Sequence, residues 1–138
     1  MAERDPITCH VLDTTTGRPA VNVLVELSCA SFDSSTTFSS TTNVDGRISN
    51  WTPPSNSPSS KSRDLIQNII AECGSREGTG ACPEGSSIWK LAFNTGAYYG
   101  VDKTFFPIVE LTFLVKKGEH FHVPLLLGPY SYTTYRGS

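Results

Sequence analysis

Charge is scarce in this sequence, and long apolar runs are missing from it. Only 17% of its 138 residues are charged and the formal net charge is −2, which leaves no basic face for nucleic acid or another polyanion. No apolar run reaches the roughly 18 residues of a membrane-crossing helix. The opening MAERDPITCH lacks the apolar core of a signal peptide, so an intracellular protein is expected. The four cysteines, Cys9, Cys29, Cys73 and Cys82, include no C-x-x-C pair, which argues against a structural zinc site. In a reducing compartment they stay thiols. Cys9 and Cys29 suit buried strand positions, whereas Cys73 and Cys82 flank a glycine-rich turn and could meet. No G-x-S-x-G occurs among the many serines, so a serine nucleophile has no support. Gly78-x-Gly80 lacks the flanking strand and helix of a phosphate loop, and the sequon Asn50-Trp51-Thr52 is silent without secretion.

What remains is a chain rich in Ser, Thr, Gly and Pro with a modest 38% hydrophobic content, the balance of an all-β, turn-rich fold. Its length fits one domain spanning residues 1–138. Ile7 to Asp13 alternates as a strand, with Ile7, Cys9 and Val11 on one face and Thr8, His10 and Leu12 on the other. A turn at Thr15-Thr16-Gly17-Arg18-Pro19 ends it. Val21 to Cys29 reads as a second strand with Val21, Val23, Val25 and Leu27 inward. Asp33-Ser34-Ser35 reads as a turn and Phe38 to Thr42 as a third strand. Asn43-Val44-Asp45-Gly46 is a turn, followed at once by Arg47, which composition alone would leave solvated. Ile48 and Trp51 follow as a short strand or its exit.

Residues 52–86 break the β pattern. A Pro/Ser loop runs from Thr52 to Ser62. Leu65, Ile66, Ile69, Ile70 and Cys73 then recur at helical spacing over Arg63 to Cys73, with Ser62 placed to cap the helix and Gly74 to end it. Ser87 to Phe93 is again a strand, with Ile88 and Leu91 among its apolar residues. Val109, Leu111, Phe113 and Val115 face one way on the next strand, Glu110 and Thr112 the other. Seven or eight strands with one or two short helices predict a two-sheet β-sandwich.

The closing stretch EHFHVPLLLGPYSYTTYRGS is the most pointed part of the chain. A His-x-His opens it, Gly128-Pro129 divides it into two strand-like halves, and a Tyr/Thr alternation runs to its end. Register places His120, His122, Pro124 and Leu126 on one face and Val123 and Leu125 on the other. His120 and His122 could be two legs of a metal site, but no third ligand is evident. The bland alternative for the last half is a plain edge strand.

HVPLLLGPYSYTTYRGS resembles the C-terminal signature of 5-hydroxyisourate hydrolases, the enzymatic branch of the transthyretin-like proteins, with Tyr135-Arg136-Gly137-Ser138 its most specific part. HVLDTTTGRPAVNV, from His10 to Val23, resembles the family's N-terminal signature. The Gly46-Arg47-Ile48 after its turn matches the position of the family's catalytic arginine. Gly128 departs from the pattern, standing where serine is common. The resemblance implies a transthyretin-like sandwich with residues 52–86 as an elaboration, and a homotetramer with its sites in clefts between subunits. It implies His10, Arg47 and His122 as catalytic residues, leaving His120 as a flank, and Tyr135, Arg136, Gly137 and Ser138 as residues shaping the substrate pocket.

The implied reaction is ring opening of 5-hydroxyisourate by water, with no metal or organic cofactor. One rival is a transthyretin-type carrier of a small hydrophobic ligand, which has no use for His10, Arg47, His122 and the YRGS end together; the other is a sandwich interaction module with a dead site, which predicts an intact tetramer with no turnover. Some relatives are peroxisomal, but this chain ends in Arg-Gly-Ser rather than a Ser-Lys-Leu address, so the cytoplasm is the expected location.

Overall fold

A computed structural model describes residues 4–55 and 61–137. Ser138 and residues 56–60 of the Pro/Ser loop lie outside the described residues. The architecture is a two-sheet β-sandwich. One sheet has the order β2(Arg18–Pro19)-β1(Ile7–Asp13)-β8(Phe121–Leu127)-β9(Tyr132–Thr134), with β5(Arg47–Ile48) also paired to β1. The other has the order β4(Asp33–Thr41)-β3(Leu24–Cys29)-β6(Ser86–Phe93)-β7(Val109–Lys116). Two helices, α1(Ser62–Gly74) and α2(Thr95–Tyr99), complete it. The short strands β2 and β5 bring the count above the seven or eight expected from the pattern.

Alternation fixes which side chains fill the space between the sheets. Ile7, Cys9 and Val11 of β1 and Val123, Leu125 and Leu127 of β8 meet Val25, Leu27, Trp89, Leu91 and Phe93 from the opposite sheet, all of them buried. Burying a side chain of this size contributes about 1.5–3 kcal/mol, so this layer holds the sheets together. The complementary face of β1 and β8, carrying Thr8, His10, His122 and Leu126, points outward.

The register of β1 decides what meets on that outward face. β8 runs parallel to β1, setting Thr8 opposite His122 and His10 opposite Pro124. β5 runs antiparallel on the other edge, setting Arg47 opposite His10. The turn before β5 is tightly specified: the Asn43 side-chain oxygen accepts from the backbone N–H groups of Asp45 (2.9 Å) and Arg47 (3.0 Å). Gly46 has φ +73°, and a Cβ there would run into the Val11 carbonyl, so only glycine lets this turn lie against β1.

Three local expectations are corrected. The second strand begins at Leu24, because Asn22 adopts φ 64° and breaks the extended run from Val21. Asp33-Ser34-Ser35 opens β4 instead of making a separate turn, with the register shift taken up at Ser28/Cys29. Ser62 does not cap α1: Lys61 is the N-cap residue and has no side-chain cap bond. The Ser62 hydroxyl donates instead to the buried Asp5 carboxylate at 2.7 Å. All four cysteines are free, Cys73 lying near Ser31 and Cys82 near the Ser86 carbonyl.

Asp5 also accepts from the Trp51 backbone N–H at 2.8 Å and from Asn50 at 3.2 Å. One carboxylate thus ties α1 and the exit of β5 to the start of β1. Replacing it by alanine leaves buried donors without an acceptor. Asp5→Ala is expected to lower the unfolding free energy by about 2–3 kcal/mol in urea titration; a change under about 0.5 kcal/mol would contradict this bridging role.

Candidate active site

The outward face of β1 and β8 brings together three imidazoles, a guanidinium and a hydroxyl. The rings of His10 and His122 have centroids 6.4 Å apart and are tilted by 31°. Thr8 Oγ1 lies 2.7 Å from Nδ1 of His122 and 3.3 Å from Nε2 of His120. Arg47 sits across from His10 in the strand register and is exposed, with no ion-pair partner among the described residues.

These neighbours set the protonation of the rings. Burial lowers the pKa of His10 below the ordinary histidine value, and the Arg47 charge lowers it further, against weaker opposing contributions from the Asp45 carbonyl and carboxylate. His122 is lowered by burial, then by Arg47 and the other two histidines, and last by Arg4. His120 is lowered by burial and Arg4, with the Asp5 carbonyl working the other way. The rings are therefore neutral at pH 7 beside a cation that stays charged. Such a cluster offers lone pairs and hydrogens for proton transfer and an unpaired positive charge for an anion.

The segment after β9 closes over the face. The Gly137 N–H donates to the His122 carbonyl at 2.8 Å. A Cβ on Gly137 would lie 2.7 Å from Cδ2 of His122 and 3.1 Å from Cγ of Pro124. The main chain lies so close to the imidazole that a larger residue would displace one or the other.

The structure brings together His10, Arg47, His122 and Gly137. Within the chain the Arg136 side chain turns away from the histidine cluster. Its guanidinium donates to Glu119 at 3.2 Å and to the His120 carbonyl at 3.4 Å, and covers the Phe121 ring at 4.4 Å. Strand alternation is the reason: Arg136 adjoins Gly137, whose main chain pairs with His122, so its side chain falls toward Phe121. Tyr135 is exposed beside Thr134 and Arg136 at the open edge between β7 and β9. Ser138 lies outside the described residues. Thr8 joins the cluster without having been singled out, and His120, expected only as a flank, meets it through the Thr8 hydroxyl. The alternation of β1 put Thr8 on the right face, but only the parallel pairing with β8 reveals its neighbours.

The chain matches the model of the HIUase/Transthyretin family over residues 7–137. It is 36% identical to 5-hydroxyisourate hydrolase of Mus musculus over 144 residues, covering 99% of this chain and 98% of the mouse protein. Among solved structures it is similar to 5-hydroxyisourate hydrolase of Klebsiella pneumoniae, with a TM-score of 0.62 and 27% identity over 96% of this chain and 98% of that one. Transthyretin from Sparus aurata superposes with a TM-score of 0.66 at 24% identity, covering 97% of each chain. That second structural likeness carries the fold alone, so the choice between chemistries rests on the residues of the face.

The electrostatics of the cluster give a direct expectation. With the three histidines followed by proton NMR against pH, all should titrate below the ordinary value. Arg47→Gln should move the midpoints of His10 and His122 upward and leave His120 in place. A fall at His10 and His122, or no movement, would contradict the placement of the Arg47 charge.

Proposed function

Because the chain belongs to the HIUase/Transthyretin family, we infer that it is a hydrolase of urate breakdown that opens the ring of 5-hydroxyisourate with water. The observation that carries this reading is the convergence of two neutral imidazoles, His10 and His122, on an unpaired guanidinium, Arg47.

Opening a cyclic amide requires a base for the attacking water, a donor for the developing oxyanion and a proton for the leaving nitrogen. Neutral imidazoles suit the first and last tasks, because their pKa lies near working pH. Proton transfer by a well-placed group contributes about 10²–10⁴ in rate. Arg47 is the donor and the anion anchor: its planar fork of N–H groups stays charged and, having no carboxylate partner among the described residues, remains available to substrate. His10 and His122 are the two groups available for water activation and proton donation. The main chain at Gly137 walls the pocket beside His122, and Arg136 holds that segment down through Glu119 and Phe121.

The active assembly is a homotetramer with this face lining a cleft between subunits. Support comes from the mixed character of the face, where half-buried Leu12 and Leu126 stand beside His10 and His122. A carrier of a hydrophobic ligand fits poorly, since the face presents an unpaired cation and polar rings where such a ligand needs apolar walls.

The test follows the ultraviolet decay of freshly generated 5-hydroxyisourate. The intact protein should accelerate it, and His10→Asn and His122→Asn should each lower kcat by about 10²-fold or more. Arg47→Gln should raise KM as well as lower kcat. Because a neutral ring is required and its pKa is lowered, activity should hold through pH 7 and decline only below the ordinary histidine range. A folded tetramer that leaves the decay unchanged would overturn the reading in favour of a carrier or an inactive module.

A further inference from the structure

The Thr8 hydroxyl has one hydrogen and two imidazole neighbours. Its Oγ1 is 2.7 Å from Nδ1 of His122 and 3.3 Å from Nε2 of His120, and Thr8 is buried at 3% exposure. Water therefore competes little for this oxygen. A hydroxyl donates once, so between two neutral rings it accepts from one and donates to the other.

Two arrangements satisfy this condition. In the first, Nδ1–H of His122 donates to Thr8, Thr8 donates to Nε2 of His120, and Nε2 of His122 carries a lone pair. In the second, Nε2–H of His120 donates to Thr8, Thr8 donates to Nδ1 of His122, and Nε2 of His122 carries a hydrogen. The first form of His122 is a base and the second an acid. The tautomers of His120 and His122 are thus locked to one another: both carry the hydrogen on Nδ1, or both on Nε2.

We propose that Thr8 and His120 are positioning residues for His122, the Thr8 hydroxyl relaying protons between the two rings so that one nitrogen of His122 acts first as base and then as acid. This rests on the hydrolase reading and refines how its proton transfers are divided. As the water oxygen bonds to the ring carbonyl carbon, one water hydrogen passes to Nε2 of His122. The Nδ1 proton of His122 moves to Thr8, and the Thr8 proton moves to Nε2 of His120. When the carbon–nitrogen bond breaks, the leaving nitrogen takes the proton from Nε2 of His122 and the other two protons run back. The second water hydrogen departs with the new carboxyl group, so the protein gains and loses one proton per turnover.

The surroundings of the two rings differ. Burial and Arg4 oppose a charge on both, and His122 meets the charges of Arg47 and His10 in addition. His120 has the Asp5 carbonyl, which favours its charged form. It also lines an open groove with Arg4, Arg63, Lys117 and Glu119, where water can screen the charge; Glu119 itself is engaged by Arg136. The Gly137 main chain packs beside Cδ2 of His122, where an added Cβ would come within 2.7 Å, and a flipped ring would offer the hydroxyl carbon instead of Nδ1.

Selective ¹⁵N-histidine labelling suits the test, because the chain has only three histidines. Long-range ¹H–¹⁵N correlation of the wild-type protein should show His120 and His122 in matched tautomers. Thr8→Val should abolish the match and lower kcat about tenfold or more, with KM within about twofold. Thr8→Ser should restore both. Unmatched tautomers in the wild type overturn the relay without any variant, so a Thr8→Val protein that fails to fold leaves the test intact. Wild-type turnover with an equally active, folded Thr8→Val protein overturns the relay alone. Wild-type protein without turnover overturns the hydrolase reading and the relay's purpose with it.

Discussion

The pairing of β1 with its two neighbours is the constraint on which the rest of the site depends. β8 lies parallel on one edge and β5 antiparallel on the other, so residues far apart in sequence fall within one or two positions of each other. Side chains alternate with period two, and a slip of one residue would turn His10 and Thr8 into the core and expose Cys9 and Val11. Burial of Ile7, Cys9 and Val11 at 0% exposure resists that slip. The apolar core and the polar face are thus two consequences of the same register.

The face is also balanced electrostatically in an unusual direction. Arg47 has no carboxylate partner among the described residues, and its charge adds to burial in keeping two neighbouring imidazoles neutral. Arg136, by contrast, is engaged by Glu119 and the Phe121 ring. One arginine is left free for an anion while the other fastens a segment of main chain over His122. The Asp5 carboxylate does comparable work below the site, joining the elaboration at α1 to β1 through Ser62, Trp51 and Asn50.

Much of this was legible in the sequence. Alternation assigned the inward and outward faces of β1, β7 and β8, and helical spacing located α1 within a residue at each end. The Asn43–Gly46 turn announced that Arg47 would follow a tight bend. Other features depend on contacts between distant segments and leave no local signal. Thr8 reads as an ordinary strand threonine until β8 lies beside it, and Ser62 reads as a cap until Asp5 is found beneath it. The direction of Arg136 follows from the bridge between Gly137 and His122, which the Tyr/Thr alternation alone does not supply.

If the segment after β9 completes the chemistry by pressing its main chain against His122, a chain ending at Thr134 should lose activity and keep its fold. Circular dichroism and 5-hydroxyisourate decay, compared with the full chain, read both. The sandwich should be unchanged and kcat/KM lowered by about 10²-fold, the scale of a misplaced catalytic group. Equal acceleration by both chains would remove any catalytic role from that segment.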